Sequence, residues 1–389
     1  MSSERGENGA SRMMPTADDV QFRLDEYDEL GEGEHLRRHP PRAPGHVIIA
    51  RGRRYDAGSI EAALSGAQQS LLSARPSTRL PLLEAAGFTV LTLAGWTLED
   101  ERRWRASVWQ ELQKTSGVVS TRWLKERNVR TGGRGISMDK SRTSALTPTG
   151  LAVSVRSTGK HYSDISDEHA MVYSYPRTQR PGRDRSEIEA VAALIGAELP
   201  LFVIESAGAN RRVRLGWVTA ADDAAQSFLF EFTELAPPRL QVELDPDRPF
   251  QTDRSRSRRD TVASRWERDP HFAFRVLHRY SGRCAITGVP VKQVLDAAHV
   301  MPVAKGGPDD DRNGLLLTAT LHRAFDAGLW ALHPSKLRME FGTGTSAADL
   351  RLTSVHLRAD VPPPHEEALE WRYEWFCRQN KMQSSDTQP

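Results

Sequence analysis

One stretch constrains this chain more than any other: Asp296-Ala-Ala-His299-Val-Met-Pro, then Asn313-Gly-Leu, then His322-Arg-Ala-Phe-Asp326. His299 precedes Asn313 by 14 residues, Asn313 precedes His322 by 9, and His322 precedes Asp326 by 4. Residues four apart on a helix leave the same face, so His322 and Asp326 are spaced to hold one ion between them. An imidazole with a carboxylate suits a borderline-to-hard divalent metal whose remaining positions stay open to water and phosphate.

The flanks extend the pattern. Ser281-Gly-Arg-Cys-Ala-Ile-Thr-Gly288 reads as a turn ahead of the strand that carries His299, and Lys305-Gly-Gly-Pro-Asp-Asp-Asp-Arg312 reads as the polar loop behind it. Asn313-Gly-Leu-Leu-Leu-Thr follows, and Phe325-Asp-Ala-Gly-Leu-Trp330 closes the helix into another short strand. Together these residues resemble the signature of HNH nucleases, in the variant written Ala-Ala-His, over roughly residues 272–378. The resemblance implies a ββα-metal finger in which His299 is the general base and Asn313 fixes the loop that orients it. It makes His322 and Asp326 the ligands of one divalent ion, Mg²⁺ or Mn²⁺ first, with Ni²⁺ or Zn²⁺ also within reach of the donor set. Arg283 and Lys305 become contacts to DNA phosphates.

Many HNH enzymes place a metal ligand immediately before the base, where this chain has Ala298, which cannot ligate. Asp296 lies three residues before His299, so in a strand the two point to opposite faces, and Asp296 is expected outside the ligand set. Only two cysteines occur, Cys284 and Cys377. They exclude a disulfide framework and a four-cysteine zinc site. The position that would pair with Cys284 is Thr287, so no structural zinc is expected.

With 389 residues the chain has room for two to three domains, and 38% hydrophobic with 27% charged residues describes a soluble globular protein. No apolar run reaches the ~20 residues of a membrane span, and the N-terminus lacks the apolar core of a signal peptide. A cytoplasmic protein with no membrane partner is expected. The net charge of +2 hides an uneven distribution: residues 101–160 hold 13 Lys/Arg against 4 Asp/Glu, and residues 254–305 hold 11 against 4. Two basic segments in a near-neutral chain are what binding to a phosphate backbone requires.

The chain reads as α+β and multidomain. Residues 1–18 form a polar tail and 19–97 an N-terminal α+β head, with a helix over Phe22–Leu30, a hairpin about Arg51-Gly-Arg, and helices from Ser59 and Pro81. Thr97-Leu-Glu-Asp100 has the form of a capping box, and Trp104, Val108 and Leu112 form one buried stripe behind it. Tyr-Asp-x-Leu-Gly followed by Gly-Arg-Arg-Tyr-Asp resembles a head domain of some modification-dependent HNH endonucleases.

Residues 98–236 run from a basic glycine-rich turn, Arg130-Thr-Gly-Gly-Arg-Gly-Ile136, through a strand, an acidic turn, a strand, the basic loop Arg177–Arg185 and a helix to three more strands. This order resembles the SRA domain, a β-barrel that flips a modified cytosine out of the duplex. The resemblance implies that Tyr162 stacks on the flipped base, that Asp164 accepts from its amino group, and that Arg134 and Arg183 attach the backbone. A basic Pro/Arg linker, 237–263, would let the nuclease swing relative to this reader. The nuclease domain then occupies 264–380, with a tail at 381–389.

The resemblances imply a metal-dependent HNH endonuclease of the type IV restriction class, acting on double-stranded DNA with modified cytosine or a modified backbone. Two single-metal fingers are needed for a double-strand break, so a homodimer on DNA is consistent with it. The competing expectations are a nuclease whose middle domain reads sequence, and a non-catalytic DNA-binding protein with a degenerate HNH scaffold, which Ala298 favours.

Overall fold

The computed structural model describes residues 14–41, 43–66, 80–130, 135–157, 165–234, 250 and 269–381. The chain forms two compact units, residues 1–155 with 206–213, and residues 156–205 with 214–389.

The first unit begins with α1 (Ala17–Leu30) and α2 (Glu32–Arg38). Thr16 starts α1 with a reciprocal capping box to Asp19, which satisfies two otherwise orphaned donors. Val20, Leu24 and Tyr27 lie along one face of the helix and are buried. Strands β1 (His46–Ala50) and β2 (Arg53–Asp56) pair as a tight antiparallel hairpin. Its two turn residues, Arg51 and Gly52, both have positive φ, 50° and 69°, which matches the right-handed twist of the flanking strands. A Cβ on Gly52 would also come within 3.1 Å of the Val108 backbone. Helices α3 (Ala57–Gly66) and α4 (Pro81–Ala85) and the short β3 (Leu91–Thr92), paired to β1, complete the head. Ile48, Tyr55, Ile60 and Leu83 join the α1 face in one core.

The expected capping box opens α5 (Leu98–Gln113), and Trp104, Val108 and Leu112 are fully buried. The same helix buries a charge network that its apolar stripe does not announce. Glu101 accepts from Arg105 Nε at 2.9 Å, from Arg142 Nε at 2.8 Å and from Trp96 Nε1 at 2.9 Å. Burial works against the Glu101 carboxylate, but the two guanidinium groups prevail and hold it down at about 2. Arg105 Nη2 also donates to the Ala152 carbonyl at 2.8 Å. The unit is completed by β4 (Val118–Val119), α6 (Thr121–Glu126), β5 (Ile136–Met138), α7 (Lys140–Thr143), which carries Arg142, and most of β6 (Ala152–Arg156).

The second unit contains β7 (Ile165–Ser166), β8 (Ala170–Ser174) and α8 (Pro181–Ala197). Strands β9 (Leu201–Ala207) and β10 (Asn210–Asp222) pass through both units, and β11 (Ser227–Glu231) lies in the second. The central strands follow the hydrogen-bonded order β5-β6-β9-β10-β11-β8-β7, with β4 paired to the start of β10. The SRA-like barrel expected for this segment is not seen closed in these strands. Among the described residues the sheet is open, because its end strands, of three and two residues, do not pair with each other. The expected basic loop is also half helix: Pro181, with its φ already helical, sits in the first turn of α8 and puts Arg183 on that helix.

Residues 269–381 supply α9 (Pro270–Arg279), the antiparallel pair β12 (Leu295–His299) and β13 (Gly314–Thr318), and α10 (Ala319–Asp326). A second hairpin, β14 (Trp330–Leu332) with β15 (Met339–Phe341), leads to α11 (Glu366–Asn380). One hydrophobic core joins Ala170, Val172, Ala220 and Leu229 of the sheet to Phe272, Val276 and Leu277 of α9 and to Leu315 and Leu321. His278 Nδ1 adds a 2.8 Å bond to Asp222, and Lys292 Nζ donates to the Gln226 carbonyl. The linker expected at 237–263 lies outside the described residues.

Candidate active site

His299 closes β12, and its place is set from three sides. Its ring stacks on Phe272 of α9, centroids 3.7 Å apart and planes 7° from parallel. Its Nε2 donates to Asp309 Oδ1 at 3.2 Å. Its strand continues into a loop stapled by Asn313, which is fully buried. Asn313 Oδ1 accepts from Met301 N at 2.9 Å, while Nδ2 donates to the Met301 carbonyl at 3.0 Å and to the Pro308 carbonyl at 2.9 Å. The side chain thus has the geometry for the loop-fixing expected of it. The loop is too tight for a side chain at Gly307, where a Cβ would lie 1.8 Å from the Met301 carbonyl oxygen.

The acidic run in this loop is three separate devices. Asp309 meets His299, Asp310 holds Arg312 at 2.9 Å, and Asp311 pairs with Arg279 at 3.2 Å. Asp309 was not singled out from sequence, where a string of carboxylates reads as solvated surface.

His322 and Asp326 meet as the helical spacing requires, Nε2 to Oδ2 at 3.1 Å. The other ring nitrogen, Nδ1, lies 3.2 Å from Asp296 Oδ2. Burial pulls the His322 imidazole down, but the hydrogen bonds with Asp296 and Asp326 outweigh it and hold the group at about 9. Asp296 does face away from the His299 side of the strand, and that face is the one α10 covers. The alternation was the available signal, and it needed only the position of the helix. The donor set, one imidazole nitrogen and one partly exposed carboxylate, fits a divalent ion with open positions. Asp296 on Nδ1 fixes which nitrogen is free to ligate, the usual outer partner of a metal-bound histidine.

Arg372 of α11 donates to the Phe325 carbonyl and covers the Phe325 ring at 3.9 Å, which anchors the end of α10 that carries Asp326. Cys284 is buried, and its Sγ accepts from Thr287 N at 3.4 Å, so a hydrogen bond closes the turn at the position where a second cysteine would stand.

Arg283 and Lys305 are both exposed within the same nuclease segment, Lys305 on the turn that follows His299. Arg183 is placed elsewhere, and its Nε bonds Glu187 one turn along α8 at 2.7 Å. Arg134, Tyr162 and Asp164 lie outside the described residues.

Residues 284–333 match the family model described as HNH endonuclease, and the match spans His299, Asn313, His322 and Asp326. This segment is an HNH endonuclease domain. Two solved structures are similar to this chain over part or most of its length. The first is a modification-dependent TagI restriction endonuclease, 17% identical, covering 66% of this chain and 90% of its own, with a TM-score of 0.28. The second is the type IV phosphorothioation-dependent restriction endonuclease ScoMcrA, 12% identical, covering 95% and 100%, with a TM-score of 0.22. No curated protein matches the chain. Among the described residues no helix is long and apolar enough to cross a membrane.

Proposed function

We propose that the chain is a metal-dependent endonuclease that hydrolyses DNA phosphodiesters and acts as a modification-dependent restriction enzyme of type IV. The observation that carries the nuclease reading is the held imidazole: His299 stacked on Phe272, donating from Nε2 to Asp309, at the mouth of a loop locked by Asn313. With Nε2 committed as a donor, Nδ1 keeps its lone pair and is the base. It takes a proton from a water that attacks phosphorus in line as the bond to the 3′-oxygen breaks. His322 Nε2 and Asp326 would hold the divalent ion, Mg²⁺ or Mn²⁺, which would supply positive charge at the phosphate and at the leaving oxygen. Asp296 orients His322 rather than completing the ligand set. Arg283 and Lys305 would hold flanking phosphates.

The choice of modified DNA rests on the central segment, with Tyr162 and Asp164 as the base pocket and Arg134 and Arg183 as backbone contacts. The test of metal-dependent cleavage is direct. Purified protein should nick plasmid with added Mg²⁺ or Mn²⁺ and stop in chelator, and His322→Ala and Asp326→Ala should each lose the metal-supported activity. Full activity in chelator would contradict the reading.

A further inference from the structure

The head of the first unit contains a second set of metal-ligating side chains, far in sequence from the nuclease segment. Glu26 of α1, His35 of α2 and His39 at the end of α2 each offer a donor atom, and the three atoms lie within 4.8 Å of one another. His35 and His39 are four residues apart and locked in helical relation, His39 N donating to the His35 carbonyl at 2.8 Å. Their rings lie 4.8 Å apart, and His39 Nε2 is 3.5 Å from Glu26 Oε1. Arg23 occupies the other oxygen of Glu26, Oε2, at 2.8 Å.

The decisive group is His35, which is fully buried. Its Nδ1 lies 3.2 Å from Ser59 Oγ, and the one hydroxyl proton of Ser59 is donated to the Asp56 carbonyl at 3.1 Å. Ser59 therefore accepts from His35, so Nδ1 carries the ring proton and Nε2 presents a bare lone pair. Among the described residues that Nε2 has no hydrogen-bond partner. A buried acceptor left without a donor is costly, and a metal ion removes that cost. A hydroxyl on Nδ1 that fixes the tautomer is the support metal-bound histidines receive.

We propose that Glu26, His35 and His39 bind one divalent ion of the zinc class and thereby pin α2 onto α1. Two imidazoles and a carboxylate are a zinc donor set, with water in the fourth position. The site is independent of the nuclease reading.

Its test uses the full chain carrying His322→Ala and Asp326→Ala, so that the nuclease segment contributes no metal. Dialysis against Zn²⁺ or Co²⁺ should leave one bound ion per chain, Co²⁺ should give the visible band of a tetrahedral site, and Zn²⁺ should raise the thermal midpoint. Adding His39→Ala should remove the ion, the band and the stabilisation. His39→Gln, of similar reach, gives the same reading should the alanine variant fail to fold. No bound ion in the nuclease-silenced chain, or binding undiminished by both His39 variants, would overturn the proposal.

Discussion

At the scale of single residues, the proposed base His299 and its partner Asp309 can be told apart by what each is expected to do. Removing the imidazole in His299→Ala should abolish cleavage and leave DNA binding within a few-fold of the parent, measured by plasmid nicking and by equilibrium binding. Asp309→Asn keeps the size of the partner but loses its charge and its preference for the Nε2–H tautomer. It should slow the chemical step by about 10–100-fold at saturating DNA and shift the pH profile of the rate. An Asp309→Asn variant with parental rate and pH profile would leave Asp309 as a loop residue only. His299, Asn313, His322 and Asp326 stand out in sequence as candidates because each depends on a spacing. Asp296 and Asp309 do not, since their roles depend on which face a helix covers and how a loop folds back.

At the scale of elements, α5 carries a buried charge network that can be tested directly. Glu101→Ala would take from buried Arg105 its Glu101 carboxylate and from Arg142 one of its two carboxylates, because Asp139 also pairs with Arg142. Breaking a buried ion network from one side costs about 3–5 kcal/mol, so urea unfolding should shift to markedly lower concentration. A loss below about 1 kcal/mol, the size of an exposed pair, would show that the network is not closed to water. Sequence periodicity foresaw the Trp104 stripe but not this network, for helical spacing reports what is apolar and says nothing of a carboxylate matched by two distant arginines.

The α9 packing makes a pH-dependent prediction. The bond from Asp222 raises His278 above its ordinary 6.5, so its contribution is full below about 6.5 and is lost as pH climbs past the raised value. Burial opposes the Asp222 carboxylate, yet His278 and the Ala225 backbone hold it below 3.8, so its contribution is lost as pH falls through that lowered value. His278→Ala should therefore cost about 1 kcal/mol between pH 4 and 6.5 and much less at pH 9. An equal cost at every pH would mean the pair acts by packing alone.

At the scale of the whole molecule, the strands were readable one by one, but the way they join was not. Alternating apolar residues marked β8, β9, β10 and β11, and nothing in that alternation distinguishes a closed barrel from an open sheet. Since β9 and β10 run through both compact units, the DNA-reading proposal belongs to the intact chain rather than to an excised middle. The proposed activity has two parts, cutting of DNA by His299 and choice of DNA by its modification. The measurement that addresses it is digestion of matched plasmids carrying cytosine, 5-methylcytosine, 5-hydroxymethylcytosine or phosphorothioate linkages, with Mn²⁺ or chelator, by the parent chain, His299→Ala, and a Tyr162→Ala, Asp164→Ala double variant. Metal-dependent cleavage of one modified plasmid by the parent is expected, with no cleavage by His299→Ala. The double variant should lose the preference for that plasmid. Equal cleavage of all four plasmids by the parent would contradict the modification reading, and cleavage undiminished in His299→Ala would contradict the active site itself.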